Sequence, residues 1–307
     1  MTYSDCCDMF MRASITGTQC LLLDDGLGGV EEYAEDFRWH DRYTTSPTKR
    51  IVRVEVVAEK ILRDLLRGHE EYAASEQLEL VLSAFLDIFE RTLAESAAAN
   101  EVVGFKSVAC YRTGLDVEPP SESAEAVLAS LKDVAQDFKL TGKIRLAHKA
   151  LNDLVVCKTL EIAAAQDKPI QFHTGLGDND ITLTKASPSH LQKVIKRYPE
   201  TKFVLLHSSY PYTRDAGYLS AVYPNVYLDF GEVFPFVSGA GQRSIVQQML
   251  EICPTSKILW STDGHWWPES FYLGVVQSRQ ALYDVTTCFL ALGALTLPSG
   301  FSGLYHA

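Results

Sequence analysis

The sequence contains no CxxC pair, no phosphate-binding glycine loop and no long apolar run, and each absence removes a class of function. Its seven cysteines (Cys6, Cys7, Cys20, Cys110, Cys157, Cys253 and Cys288) are scattered. Neither zinc-ribbon spacing nor a disulfide framework is present, and the odd count fits a reducing compartment. The opening MTYSDCCDMFMRAS has no basic stretch followed by an apolar one, so it does not read as a secretory leader. No stretch approaches the ~18 consecutive apolar residues of a membrane helix. The expectation is a cytoplasmic protein with no membrane partner. DDGLGG after Leu23 has neither dinucleotide-loop spacing nor a P-loop lysine. Basic residues are in deficit, 28 Lys and Arg against 39 Asp and Glu for a net charge of −11. That balance argues against binding a phosphate backbone, so no nucleic-acid partner is expected.

The chain has 307 residues, 47% of them hydrophobic and 10% aromatic, enough for one large core. A single α/β barrel domain over residues 1–307 suits that length better than two ordinary domains. Apolar, β-rich runs at 19–23, 50–56, 102–108, 170–173, 203–207, 226–229 and 258–261 read as strands. KFVLLHSS and KILWSTDG are nearly continuous in hydrophobicity, as parallel strands covered on both faces require. Amphipathic stretches lie between them: two helices within 57–95, then 123–138, 148–165, 187–197, 215–223, 242–252 and 271–290. The 187–197 stretch opens Ser-Pro, an N-cap followed by a first-turn proline. The alternation predicts a parallel α/β architecture. Seven strands fit an open sheet as well as a barrel, which has eight, so the count alone leaves both open.

Polar residues at the strand ends are more decisive. IQFHTG, VLLHSS and LWSTDG each end an apolar strand with a metal-capable side chain: His173, His207 and Asp263. The C-terminal strand ends of a barrel are where catalytic residues converge. Taken singly, each His also fits a hydrogen-bonded core residue and Asp263 a loop cap; as a set they read as a site. His and carboxylate donors suit Zn²⁺ or Mn²⁺, which lower the pKa of a bound water towards ~7. A His can exchange protons with substrate, and an Asp can take the proton of the attacking water.

QFHTGLGD, VLLHSSYPYTRDAGYLS and ILWSTDGHWWPESFYLG, with LLLDDGLG, WHDRYTTSPTKRIVRVE and VGFKSVACYRTGLDV, resemble the amidohydrolase-related family, in particular the amidohydrolase half of FluG-like proteins. The likeness runs from about Thr16 to about Val285. It implies a distorted (β/α)8 TIM barrel in which the visible strands are the second to the eighth. It also implies roles: His173 as a metal ligand, His207 as a second ligand or proton-transfer residue, and Asp263 as a ligand of both metal and catalytic water. The sequence departs from the family in having no His-x-His pair anywhere and no His before His40. In the family that pair ends the first strand. The expectation is therefore a barrel lacking strand 1, with an open edge on the second and eighth strands and, from the tail LGALTLPSGFSGLYHA, shortened closing helices.

The resemblance implies a metal-dependent hydrolase of a C–N bond in a small molecule, a γ-glutamyl or related small amide, given the family's association with glutamine-synthetase-like domains. Its alternatives are a decarboxylase of the same family and an inactive pseudoenzyme or truncated product. A homodimer is among the partners it implies. Arg112 is a candidate clamp for a substrate carboxylate, with Tyr111 beside it, or else a surface residue. His265, Trp266, Trp267 and Glu269 are expected to wall the pocket, with His265 and Trp266 as substrate contacts. Lys106 reads either as a carbamylated metal bridge or as a lysine paired with Glu55 or another carboxylate. Asp24 and Asp25 support the site or form a turn with the following GLG.

Overall fold

The computed structural model describes residues 2–24, 26–27, 34–67, 75–119 and 124–291. The chain opens with α1 (Tyr3–Ser14) and β1 (Leu22–Asp24), then β2 (Lys49–Arg53), α2 (Val54–Leu66) and α3 (Ser75–Ala98). After β3 (Val102–Ser107) come α4 (Ala124–Thr141) and α5 (Lys149–Ala165). The units β4 (Ile170–Phe172) with α6 (Gln192–Arg197), and β5 (Phe203–Leu205) with α7 (Thr213–Val222), follow. Finally β6 (Val226–Phe230) leads to α8 (Val233–Phe236) and α9 (Gly239–Leu250), and β7 (Ile258–Trp260) to α10 (Pro268–Ala291).

Among the described residues seven strands form one sheet in sequence order, every neighbouring pair parallel. This is the open α/β barrel the strand pattern and the family resemblance imply. Helices cover the outer face. Central strands are mainly apolar because they are buried on both sides: Phe172 on β4 stacks on Phe203 on β5 with ring centroids 5.7 Å apart. The apolar run 50–56 does not continue as a strand. Arg53 caps α2, and Val54, Ala58, Ile61, Leu62 and Leu66 then bury one helical stripe. Burial at helical spacing overrides the β-branched character of Val54, Val56 and Val57. Local signals elsewhere behave as read: Ser187 caps its turn by accepting from the Ser189 N–H, with Pro188 in the first position. Among the described residues no helix is long and apolar enough to cross a membrane.

The sheet ends at β1 and β7, and their apolar residues show it. Leu22 is 56% exposed, Leu259 42% and Trp260 38%, whereas Phe172, Phe203 and Leu228 on inner strands are fully buried. Outside this gap α1 packs against α10: Phe10 meets Tyr272 edge-on with centroids 5.7 Å apart, and Arg279 donates to Thr16 O at 2.5 Å. A capping box starts α1, Thr2 and Asp5 each accepting from the other's backbone N–H. The tail from Leu292 onward, which carried the expectation about shortened closing helices, lies outside the described residues, as does Asp25.

Candidate active site

At the C-terminal ends of the strands lies a cavity of about 1080 Å³, lined by His173, His207 and Asp263 together with Lys106, Asp229 and Glu232. His173 directly follows β4 and is buried. Its Nε2 lies 2.8 Å from Leu176 O. That contact makes Nε2 the N–H donor and leaves Nδ1 with its lone pair facing other partners, the tautomer selection usual for ligating histidines. Its ring centroid stands 4.4 Å from that of His207 and 4.4 Å from that of Tyr111.

His207 ends the β5 run on a left-handed turn in which His207, Ser208 and Ser209 have φ of 64°, 53° and 50°. Three consecutive non-glycine residues in that region are a costly arrangement, of the sort that gathers at functional sites. Thr174 ties it down, donating to Leu206 O at 2.6 Å and lying 2.7 Å from Ser209 Oγ. Gly175 makes the approach feasible: a Cβ there would meet Ser209 C at 2.5 Å, and its φ is +75°.

After β6 the chain reads Asp229-Phe-Gly-Glu232. Asp229 Oδ2 accepts from Ser261 Oγ at 2.9 Å and from the His207 N–H at 3.4 Å. Burial pushes its carboxyl up to about 7. Glu232 has a φ of 56°, and burial, followed by the charge of Asp263, pushes its carboxyl up to about 8. Its Oε2 lies 3.2 Å from His207 Nδ1. The approach is nevertheless not a hydrogen bond, since among the described residues Glu232 Oε2 and both ring nitrogens of His207 lack any hydrogen-bond partner. Unpaired buried polar atoms cost about 1–3 kcal/mol each, so three at one point mark a place built for something else to bind.

Burial holds both imidazoles well below their ordinary pKa, with His207 and Lys106 adding to the effect on His173, and Lys106 and His265 to that on His207. Both rings are therefore neutral at neutral pH, the state in which imidazole coordinates metal. His173, His207 and Glu232 each offer one donor atom, all within 4.8 Å of one another. Two neutral imidazoles and a carboxylate fit a divalent ion of the zinc type.

The sequence singled out His173 and His207, which the fold brings together, but not Glu232. The same rule of a polar residue just past a strand's C-terminal end, applied to LDFGE, finds it. Asp263, with φ 50°, stands on the wall of the same cavity outside that tight trio, and its charge acts on His173, Asp229 and Glu232. Arg112 lines the cavity while donating to Glu59 Oε1 at 3.2 Å. His265 is at the rim, exposed, with Nδ1 2.7 Å from Asp263 O. Trp266 and Trp267 project to solvent, 61% and 65% exposed, outside the cavity lining. The carboxylate partner of Lys106 is Asp24, at 3.1 Å. Glu55 instead accepts from Ser107 Oγ at 2.7 Å.

Residues 75–284 match the model of the amidohydrolase family Amidohydro_2. The chain is 47% identical over 297 residues to the fluG protein of Emericella nidulans, covering 94% of this chain and 34% of that protein. It thus spans about one third of that relative's length. A Lactobacillus casei structure described as a metal-dependent hydrolase superposes with a TM-score of 0.75 at 29% identity, over 92% of this chain and 70% of the other. Uronate isomerase of Thermotoga maritima shares the fold at a TM-score of 0.58 and 12% identity, over 92% of this chain and 65% of the other.

Proposed function

The chain belongs to the amidohydrolase family, and on that premise we propose that it is a metal-dependent hydrolase cleaving the C–N bond of a small amide, a γ-glutamyl amide in the first instance. The observation that carries the reading is the pair of neutral, buried imidazoles of His173 and His207, unsatisfied on the His207 side, beside carboxylates in one cavity at the strand ends. A bound zinc or manganese ion, held by His173, His207 and Asp263, would supply Lewis acidity there.

The chain's own groups do the rest. Asp263 accepts the proton of the attacking water and, by way of His207, that proton passes to the departing nitrogen, so that the C–N bond breaks to give a neutral amine while the acyl carbon keeps the water oxygen as a carboxylate. Arg112 and His265, which line the cavity, meet the substrate outside the reacting bond, Arg112 through a carboxylate; Trp266, outside the lining, would meet only a portion of substrate extending past the rim. The cavity, at about 1080 Å³, suits a small-molecule substrate.

The test is product analysis after chelation and reloading with zinc or manganese. Ammonia or amine release from γ-glutamyl amides, lost with the metal and restored by it, is the expected result. Release of CO₂ from an acid substrate would instead assign a decarboxylase. A metal-loaded protein that releases neither would sink the enzymatic reading.

A further inference from the structure

We propose that Glu232 is a further protein ligand of this metal centre, joining His173, His207 and Asp263. The proposal rests on the metal-dependent reading above and specifies its ligand set.

The contact between Glu232 Oε2 and His207 Nδ1 is the key observation. At 3.2 Å the two atoms are close, yet neither has a hydrogen-bond partner. They are side by side without being aimed at one another, which is how two donors to a shared third body stand. Two ligand atoms on a tetrahedral ion at 2.0–2.2 Å are separated by about 3.3–3.6 Å, close to the spacing found. His173 brings the remaining donor within 4.8 Å. Its Nε2 is committed to Leu176 O, leaving Nδ1 for the ion, with a backbone carbonyl fixing the ring from behind.

Charge points the same way. His173 and His207 are neutral donors, and Asp263 offsets one charge of a divalent ion. On binding, Glu232 gives up its proton and supplies a second anionic oxygen inside the buried cluster. A catalytic zinc site holds its ion with at least three protein ligands and keeps a position for water, and Glu232 with the two histidines reaches three inside the buried cluster. The backbone at Glu232 is held for this purpose: its φ is 56°. Gly231 before it lies so close to Ser261 Oγ that no Cβ fits, so the β6 and β7 strand ends fix the backbone that carries the carboxylate. Lys106, the cation whose charge acts on both histidines, is matched by Asp24, which leaves Glu232 available to the ion.

The experiment measures metal binding rather than turnover. Apo protein is titrated with Zn²⁺ against a chromophoric chelator, and with Co²⁺ to record its visible absorption, for the wild type and for Glu232→Gln. The expected result is a loss of zinc affinity of about 10–100-fold or more, at least that of losing an outer-shell partner, with an altered Co²⁺ spectrum. Affinity within about twofold of wild type and an unchanged spectrum overturn the ligand assignment while leaving metal dependence intact. A wild type that binds neither ion overturns both. If Glu232→Gln does not fold, zinc-soaked crystals of the wild type decide. A Glu232 oxygen within 2.0–2.2 Å of the ion supports the assignment, and an ion on His173 and His207 without it refutes it.

Discussion

Lys106 on β3 makes its ion pair with Asp24 on β1, two strands away, at 3.1 Å, and Arg53 on the intervening strand donates to the same carboxylate. All three side chains are at most 16% exposed. Asp24 thus balances two cations on the cavity wall. Asp24→Asn removes the single anion and strands both. The expected cost is about 3–5 kcal/mol, the usual penalty for removing one partner of a buried pair. Urea unfolding checks it; a loss below about 1 kcal/mol would mean that solvent already compensates Lys106 and Arg53.

Glu55 is fully buried, and burial raises its pKa above the ordinary carboxylate value despite the Ser107 hydrogen bond. The folded state then holds a proton that the unfolded chain releases. The stabilising effect of that proton is full below the unfolded value of 4.5 and fades as pH rises through the raised one. Glu55→Gln is permanently neutral. Its stability relative to wild type should therefore improve steadily from pH 4.5 towards neutrality. A pH-independent difference in urea midpoints between the two proteins would refute the buried-proton account.

A Cβ on Gly177 would stand 2.9 Å from His173 Nε2 and overlap Tyr111 Oη and Ile181 Cδ1. Gly177→Ala therefore pushes on the ring that Leu176 O anchors. Overpacking of this kind costs about 1–3 kcal/mol, and the displaced imidazole should weaken zinc binding as well. Thermal melts combined with zinc titration test both parts. Unchanged zinc affinity alongside reduced stability would show that His173 tolerates the shift.

Zinc itself should stabilise the fold. An ion that satisfies His207 and Glu232 in the native state alone adds about 2.7 kcal/mol at a free concentration one hundred times its Kd. That corresponds to a rise of a few degrees in Tm, reversed by chelator. Superimposable melts with and without zinc would remove the metal centre from the account.

The fold was largely legible in the sequence because its dominant signal is local. Each of the seven apolar runs became a strand, and Ser187-Pro188 marked a helix start as capping chemistry requires. Where reading failed, tertiary burial was the cause: nothing local distinguishes Val54 as the first residue of a helix from Val54 as the end of a strand. The site was legible in part. His173 and His207 stand out as polar residues ending apolar strands. Glu232 is less conspicuous, since it stands beyond a glycine two residues past the end of β6, yet the same strand-end rule reaches it. The pairing of Lys106 with Asp24 was equally out of reach, since it depends on which strands neighbour β2.

The gap between β1 and β7 gives the cavity a flank as well as a mouth. Its lining runs from His173 and Asp263 down to Leu22, Leu259 and Trp260 on the two free edges, and on to Ile15 and Leu282 beside α1 and α10. The histidines themselves are only 4% and 1% exposed, so this flank opens onto apolar wall and not onto the reacting groups. The cavity thus has two characters, polar and buried where the imidazoles and carboxylates gather, and apolar along the free strand edges.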